Sequence, residues 1–104
     1  MDDDQKLDAA AVQAEGLDDW ELVDGALRAQ FDTGSFSVGL DLVNQVGAAA
    51  EEADHHPDIE LQYPHVGIKL VSHDVDGITP RDIRLARRIS EMATAVGISA
   101  AFPE

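Results

Sequence analysis

Histidines and carboxylates collect in two short segments of the chain. The segment Glu51-Glu52-Ala53-Asp54-His55-His56-Pro57-Asp58 contains two of the four histidines, and Ser72-His73-Asp74 contains a third. Neutral imidazole accepts a proton and imidazolium donates one, both near pH 7, so histidine suits general acid–base catalysis. Several imidazoles together can hold one in each state, which suits dehydration or tautomerisation. Acyl transfer is not indicated, because the chain has no cysteine and no serine in a nucleophile motif.

A hairpin is predicted to bring these two segments together. Apolar and polar residues alternate over residues 58–63 and again over 66–71, with Pro64-His65 at the turn between them. This alternation is typical of half-buried strands. The far end of the second strand of a hairpin lies beside the start of the first, so we expect His73 to return to His55-His56.

Two other interpretations of these residues stay open. The His-His-Pro sequence can be a polar helix end followed by a stop, with Asp82 only a capping residue and Asp74 only a turn residue. Zinc binding by three histidines and a carboxylate is the second alternative. It is disfavoured, because neighbouring histidines rarely reach one metal together and the HExxH spacing is absent. His65, in the predicted turn, is expected to be solvated.

Helices and a second hairpin must hold these segments in place. Apolar spacing predicts a first helix over residues 2–15. From Trp20, two strands flank Asp24-Gly25, a dipeptide that favours a tight turn, and they end near Thr33-Gly34. Trp20 is expected to anchor the first helix on the sheet.

Two longer helices follow the two hairpins. Ser35 or Ser37 can cap the first of them, and its predicted core-facing stripe is Phe36, Leu40, Val43, Val46 or Gly47, Ala50 and Ala53. Its last turn carries Glu51 and Glu52 at the negative end of the helix dipole, a local conflict that hints at function. The last helix opens at Thr79-Pro80-Arg81-Asp82, a strong capping signal, and stops at Gly97. Its predicted buried stripe is Ile83, Ala86, Ile89, Ala93 and Val96.

The predicted fold class is α+β. Its order, α-β-β-α-β-β-α, gives a four-stranded antiparallel sheet with three helices packed on one face. The 104 residues are expected to form one domain, with residues 1–6 and 98–104 as loose ends.

Composition excludes several kinds of protein. The formal net charge of −14 would repel a phosphate backbone, so direct nucleic-acid binding is disfavoured. The arginines at positions 81, 84, 87 and 88 are expected to be a solvated helix face. No apolar run is long enough to span a membrane, and the acidic N-terminus does not resemble a secretory signal. We therefore expect a cytoplasmic protein, and the small core makes a dimer or larger homo-oligomer reasonable.

Several motifs resemble the signature of the pterin-4a-carbinolamine dehydratases. In that family an acidic helix end runs into His-His-Pro, and a hairpin leads to Thr-His-Asp/Glu and a Gly-Leu-Thr/Ser-x-x-Asp helix start. The matching residues are Asp54-His55-His56-Pro57-Asp58, Tyr63, Ser72-His73-Asp74 and Gly77-Ile78-Thr79-Pro80-Arg81-Asp82. The spacing agrees without insertion from about Phe31 to Ile89, and Trp20 matches a tryptophan usual in the family.

The resemblance implies a fold, a reaction and a set of site residues. The family has a four-stranded antiparallel sheet with three helices on one side and forms dimers or tetramers. Its reaction dehydrates 4a-hydroxytetrahydropterin to quinonoid dihydropterin without metal or organic cofactor, which recycles the pterin of aromatic amino acid hydroxylases. By position, the acid–base residues would be His55, His56 and His73, with Asp82 orienting an imidazole. The pterin pocket would be lined by Glu51, Asp54, Ser72 and Asp74.

Departures from the family pattern are modest. None removes a proposed catalytic group, although the change at Ile59 is expected to alter the pocket walls. The differing positions are Asp19, Ile59, Pro64, Ser72 and Ile78. The alternative function is a non-catalytic binding, assembly or dimerisation protein on the same scaffold, and the intact set of three histidines favours the enzyme.

Overall fold

An antiparallel sheet with helices packed on one face is seen in the computed structural model, which describes residues 4–101. In chain order the elements are α1 (Ala9–Ala14), β1 (Glu21–Val23), β2 (Ala26–Asp32), α2 (Phe36–Ala53), β3 (Asp58–Gln62), β4 (His65–Leu70), α3 (Pro80–Ala95) and β5 (Ser99–Ala100). Strands β1 to β4 lie in the order β1-β2-β4-β3. The predicted α+β class and its α-β-β-α-β-β-α order are therefore confirmed.

The hairpin of β3 and β4 has the register that positions the histidines. Gln62 pairs with His65, and Asp58 pairs with Lys69. The turn is Tyr63-Pro64, with a cis peptide bond, so the prediction of a turn at Pro64-His65 is off by one residue. His65 is instead the half-buried first residue of β4, and its Nε2 lies 2.6 Å from Gln62 Oε1.

The core lies between the sheet and the helices. Alternate residues of β2 and β4 are buried there, and those of β3 are partly buried. Trp20 is 7% exposed and its ring packs edge-on against Phe31, with centroids 6.2 Å apart. Its Nε1 donates to Ser90 Oγ of α3 at 3.0 Å. Trp20 is thus buried as predicted, but its hydrogen bond ties it to α3, whereas the prediction gave it the role of anchoring the first helix.

Helix α2 is rotated relative to the predicted stripe. Ser35 caps it as expected, but Phe36 and Leu40 are 51% and 44% exposed. The buried residues are Gly39, Leu42, Val46, Ala49 and Ala50. A Cβ at Gly39 would lie 2.8 Å from Leu61 Cδ1, so the helix lies close against the sheet at a residue that has no side chain. The prediction that Phe36, Leu40 and Ala53 face the core is wrong for this reason.

Both ends of the chain differ from prediction. Helix α1 is shorter than residues 2–15, because it begins after the cap residue Asp8 and ends at Ala14. Residues 98–101 are not a loose end: Ile98 is 8% exposed in the core, and β5 pairs with Phe31 and Asp32 of β2. The predicted loose ends at 1–3 and 102–104 lie outside the described residues. In the part of the chain that is described, no helix is long and apolar enough to cross a membrane.

Candidate active site

Two chain segments leave the same end of the β3–β4 hairpin and enclose an open pocket of about 390 Å³. The first segment follows α2, which Asp54 ends in a left-handed conformation with φ 50°. The second follows β4 and is closed by the Ser72–Gly77 bridge. The residues lining the pocket are Asp54, His55, His56, Val71, Ser72, His73, Asp74 and Arg81. The return of His73 to the two neighbouring histidines therefore matches the prediction from hairpin pairing.

His55 is held by the buried carboxylate of Asp82. Its Nε2 lies 2.6 Å from Asp82 Oδ1, and the two side chains are 10% and 0% exposed. The other carboxylate oxygen, Oδ2, accepts hydrogen bonds from Ser72 Oγ at 2.7 Å and from the Thr79 amide at 3.0 Å. Such a set of donors is what a fully buried carboxylate requires. Asp82 thus contacts an imidazole and does not line the pocket itself.

The same carboxylate caps α3. Thr79 is the N-cap and Pro80 the first helical residue, and the Asp82 side chain closes a capping box on the Thr79 backbone. The predicted helix start is confirmed. The positive end of the α3 dipole adds to the stabilisation of the Asp82 carboxylate. The capping and histidine-holding roles considered for Asp82 are therefore compatible, because its two oxygens divide them.

His56 is held from the solvent side by Glu51. Its Nε2 is hydrogen-bonded to Glu51 Oε2, and the two side chains are 58% and 78% exposed. The neighbouring Glu52 pairs with Arg88 of α3 at 2.8 Å. Both glutamates that oppose the α2 dipole therefore have a positively charged or protonatable partner. Glu51 lies beside His56 and outside the residues that line the pocket.

His73 has the least constrained ring of the three. It is exposed on the loop after β4, and within residues 4–101 its ring makes no hydrogen bond or ion pair. The three imidazoles of the pocket consequently differ in environment: one is buried against a carboxylate, one is paired at the surface and one is open. Such differences are what separate acid and base assignments within one site.

Arg81 and Val71 are the two pocket-lining residues that the sequence prediction missed, and Arg81 is the charged one. Its guanidinium donates to both oxygens of Asp74 at 2.8 and 3.0 Å. These hydrogen bonds hold the pKa of the Asp74 carboxyl below its usual value, and Asp74 in turn raises the pKa of Arg81. The arginine was assigned to a solvated helix face on charge pattern alone. Its place between Thr79 and Asp82, in the capping segment, was the signal that could have identified it.

Surfaces outside this pocket offer fewer groups for acid–base catalysis or metal binding among the described residues. Ile59 packs against the core cluster and is absent from the pocket wall that it was expected to change. A groove on the open face of the sheet, lined by residues that include Arg28, Gln30 and Lys69, contains no histidine. Among the described residues, no group of three or more His, Cys, Asp or Glu side chains is arranged to hold a metal ion.

Comparison with known proteins identifies the class. The model of the pterin 4 alpha carbinolamine dehydratase family matches residues 4–92. The chain is 43% identical over 89 residues to a Mycobacterium leprae protein, covering 86% of this chain and 92% of that protein. It is 44% identical over 87 residues to a Mycobacterium avium protein, covering 84% and 89%. Both relatives are provisionally named pterin-4-alpha-carbinolamine dehydratases.

Solved structures agree in fold. A Brucella melitensis protein described as a transcriptional coactivator/pterin dehydratase superposes with a TM-score of 0.81 at 30% identity, covering 86% of this chain and 99% of that one. A pterin dehydratase-like RuBisCO assembly factor of the alpha-carboxysome has a TM-score of 0.59 at 21% identity, covering 71% and 86%, and shows the fold alone. The chain belongs to the pterin-4a-carbinolamine dehydratase family.

Proposed function

We propose that this protein dehydrates 4a-hydroxytetrahydropterin to quinonoid dihydropterin by histidine acid–base catalysis. The observation that carries the proposal is the pocket in which His55, His56 and His73 meet, in a chain that belongs to this family. A hydro-lyase reaction of this kind needs one group to give a proton and another to take one, and imidazoles do both near neutral pH.

The chemistry is a balanced elimination. An imidazolium gives its proton to the 4a-hydroxyl, and the C4a–O bond breaks to release water. A neutral imidazole takes the N5 proton, and the N5 electron pair forms the C4a=N5 double bond. One proton enters the leaving group and one leaves the ring, so the total number of protons on the pocket residues does not change. Neither oxidation nor reduction occurs, and the proposal includes no metal or organic cofactor.

Pterin recognition is proposed for the acidic residues of the pocket wall. Carboxylates pair well with the donor-rich edge of an aminopyrimidine ring. Asp54 and Asp74 both line the pocket, and Arg81 fixes the Asp74 carboxylate by two hydrogen bonds. Glu51 is proposed to act through its bond to His56. Ser72 contributes to the wall, with its hydroxyl turned towards Asp82.

The biological setting is part of the same proposal. The reaction would serve tetrahydropterin recycling in the cytoplasm, in a pathway with aromatic amino acid hydroxylation. A homodimer or homotetramer is supported by apolar side chains exposed on α2. Phe36 is 51% and Leu40 44% exposed; four residues apart, they lie on one side of the helix, and exposed apolar patches mark association surfaces.

The test is the dehydration rate of chemically generated 4a-hydroxytetrahydropterin. Wild type is compared with His56→Ala and His73→Ala, and with His65→Ala as the control at the opposite end of the hairpin. We expect both pocket variants to lose about 100-fold or more and the control to retain the wild-type rate. A wild-type rate equal to the uncatalysed one would favour a non-catalytic binding or assembly protein. Full activity in both pocket variants would refute the histidine roles.

A further inference from the structure

A chain of buried hydroxyl groups leads from the start of α3 to the carboxylate behind His55. Ser72 Oγ lies 2.9 Å from Thr79 Oγ1 and 2.7 Å from Asp82 Oδ2. The three residues are 1%, 0% and 0% exposed. Hydrogen bonds in such a dry environment are strong, and leaving one unmade is costly. The orientation of each proton in this chain is therefore well defined.

The direction in which these hydrogen bonds run, from Thr79 through Ser72 to Asp82, follows from the donors that surround Thr79. Thr79 Oγ1 accepts from the Arg81 amide and from Arg81 Nε, each at 3.2 Å. A hydroxyl oxygen has two acceptor positions and one proton. With both positions occupied by donors, Thr79 must donate its proton to Ser72. The Ser72 proton is then directed at Asp82 Oδ2, which the Thr79 amide also contacts.

This arrangement determines which nitrogen of His55 carries the proton. Two donors converge on Asp82 Oδ2, and Oδ1 lies 2.6 Å from His55 Nε2. With carboxylate oxygens as acceptors on both sides, His55 Nε2 is the donor of the remaining hydrogen bond. We propose that the Ser72–Thr79 hydroxyl pair positions Asp82 so that neutral His55 is the Nε2–H tautomer. Nδ1 is then the nitrogen that exchanges a proton with the pterin. The last statement rests on the proposed function, whereas the tautomer does not.

Capping of α3 does not explain why Ser72 donates a hydrogen bond to Asp82. The capping box needs only the side chains of Thr79 and Asp82, and both belong to the start of α3. Ser72 comes from the segment after β4, ten residues before Asp82. It is therefore a positioning residue that connects the two halves of the pocket, and the substrate need not touch its hydroxyl.

The test is the tautomeric state of His55, read from long-range ¹H–¹⁵N correlation spectra of histidine-labelled protein at a pH where the ring is neutral. Wild type should give the Nε2–H pattern. Ser72→Ala should give a mixture of the two tautomers, and Ser72→Thr, which keeps the hydroxyl, should restore the wild-type pattern. Thr79→Val should resemble Ser72→Ala. His65 serves as an internal reference that none of the variants should change.

Kinetics give a second measurement. A catalytic histidine in the wrong tautomer lowers kcat strongly. Ser72→Ala, in which the tautomer of His55 is only partly controlled, should therefore lower kcat by about 10-fold. KM should stay within about 2-fold, and Ser72→Thr should recover the rate.

The inference is overturned if neutral His55 in the wild type is the Nδ1–H tautomer, a result that needs no variant to fold. It is also overturned if folded Ser72→Ala keeps a pure Nε2–H pattern. An inactive wild type that nevertheless shows the expected tautomer changes would refute the dehydratase proposal and support the positioning of His55.

Discussion

Oδ1 of Asp82 lies 2.6 Å from Nε2 of His55, and Oδ2 of the same carboxylate closes the capping box of α3. One buried group therefore supports both a helix start and an imidazole of the pocket. A change at Asp82 should affect stability and activity together, whereas a change at exposed His73 should affect activity alone.

Asp82→Asn separates the charge of this residue from its size. We expect a loss of about 100-fold or more in dehydration rate, because the amide cannot hold His55 as the carboxylate does. The free energy of unfolding should fall by about 2–4 kcal/mol, since a buried charged acceptor is lost. Rates and urea unfolding measure the two effects. The exposed Asp41→Asn is the control, and wild-type activity in Asp82→Asn would contradict the arrangement.

The Asp74–Arg81 pair should give stability that disappears in acid. Arg81 lowers the pKa of Asp74 in the folded protein, while an unfolded Asp titrates near about 3.9. The contribution is therefore complete above the unfolded value and is lost as pH falls through the lower folded value. Urea midpoints of wild type and Asp74→Asn, measured from about pH 7 to about pH 2, should converge in acid. A difference that persists unchanged at the lowest pH would contradict the pairing, and exposed Asp32→Asn serves as the control.

A side chain at Gly39 should be destabilising, in contrast to one at Gly47 on the same helix. A Cβ at Gly39 meets Leu61 Cδ1 at 2.8 Å, whereas at Gly47 no heavy atom lies within 4 Å. We expect Gly39→Ala to lower the free energy of unfolding by about 1–3 kcal/mol through overpacking. The control Gly47→Ala should raise it by about 0.5–1 kcal/mol, because alanine is the better helix former. Urea unfolding measures both, and equal effects would show that α2 approaches the sheet elsewhere.

The exposed apolar side chains of α2 should drive self-association. The double variant Phe36→Asp and Leu40→Asp places two charges on this surface, and light scattering after size exclusion should show a smaller assembly than wild type. Gln45→Asp, exposed on the other side of α2, is the control and should leave the mass unchanged. A double variant of wild-type mass would place any assembly interface elsewhere.

Local patterns predicted much of this fold. Alternation over β3 and β4 predicted the hairpin that returns His73, and Thr79-Pro80-Arg81-Asp82 predicted the start of α3. The buried face of α2 could not be predicted by counting apolar residues, because it includes Gly39, which has no side chain and lies close to Leu61. The two-residue strand β5 carries no periodic signal. It pairs with Phe31 and Asp32 of β2, beyond the residues of β2 that the short strand β1 pairs with.

For the site, the sequence predicted most of the residues but not the hydrogen bonds between them. Residue types and hairpin geometry identified the three histidines and the carboxylates around them. The partners of these groups required three-dimensional information, since the bond of Ser72 to Asp82 and that of Arg81 to Asp74 cross between segments. A charge pattern along one helix does not show which arginine turns towards a pocket.

The amide of Thr79 provides a natural reporter for the state of the pocket. It donates to Asp82 Oδ2, so its hydrogen-exchange rate records how often the first turn of α3 frays. Each fraying event also removes the support of His55. The lifetime of an ordered pocket is thereby tied to the opening rate of a helix end. Solution conditions that loosen helix termini would release His55 from Asp82 before the sheet itself is disturbed.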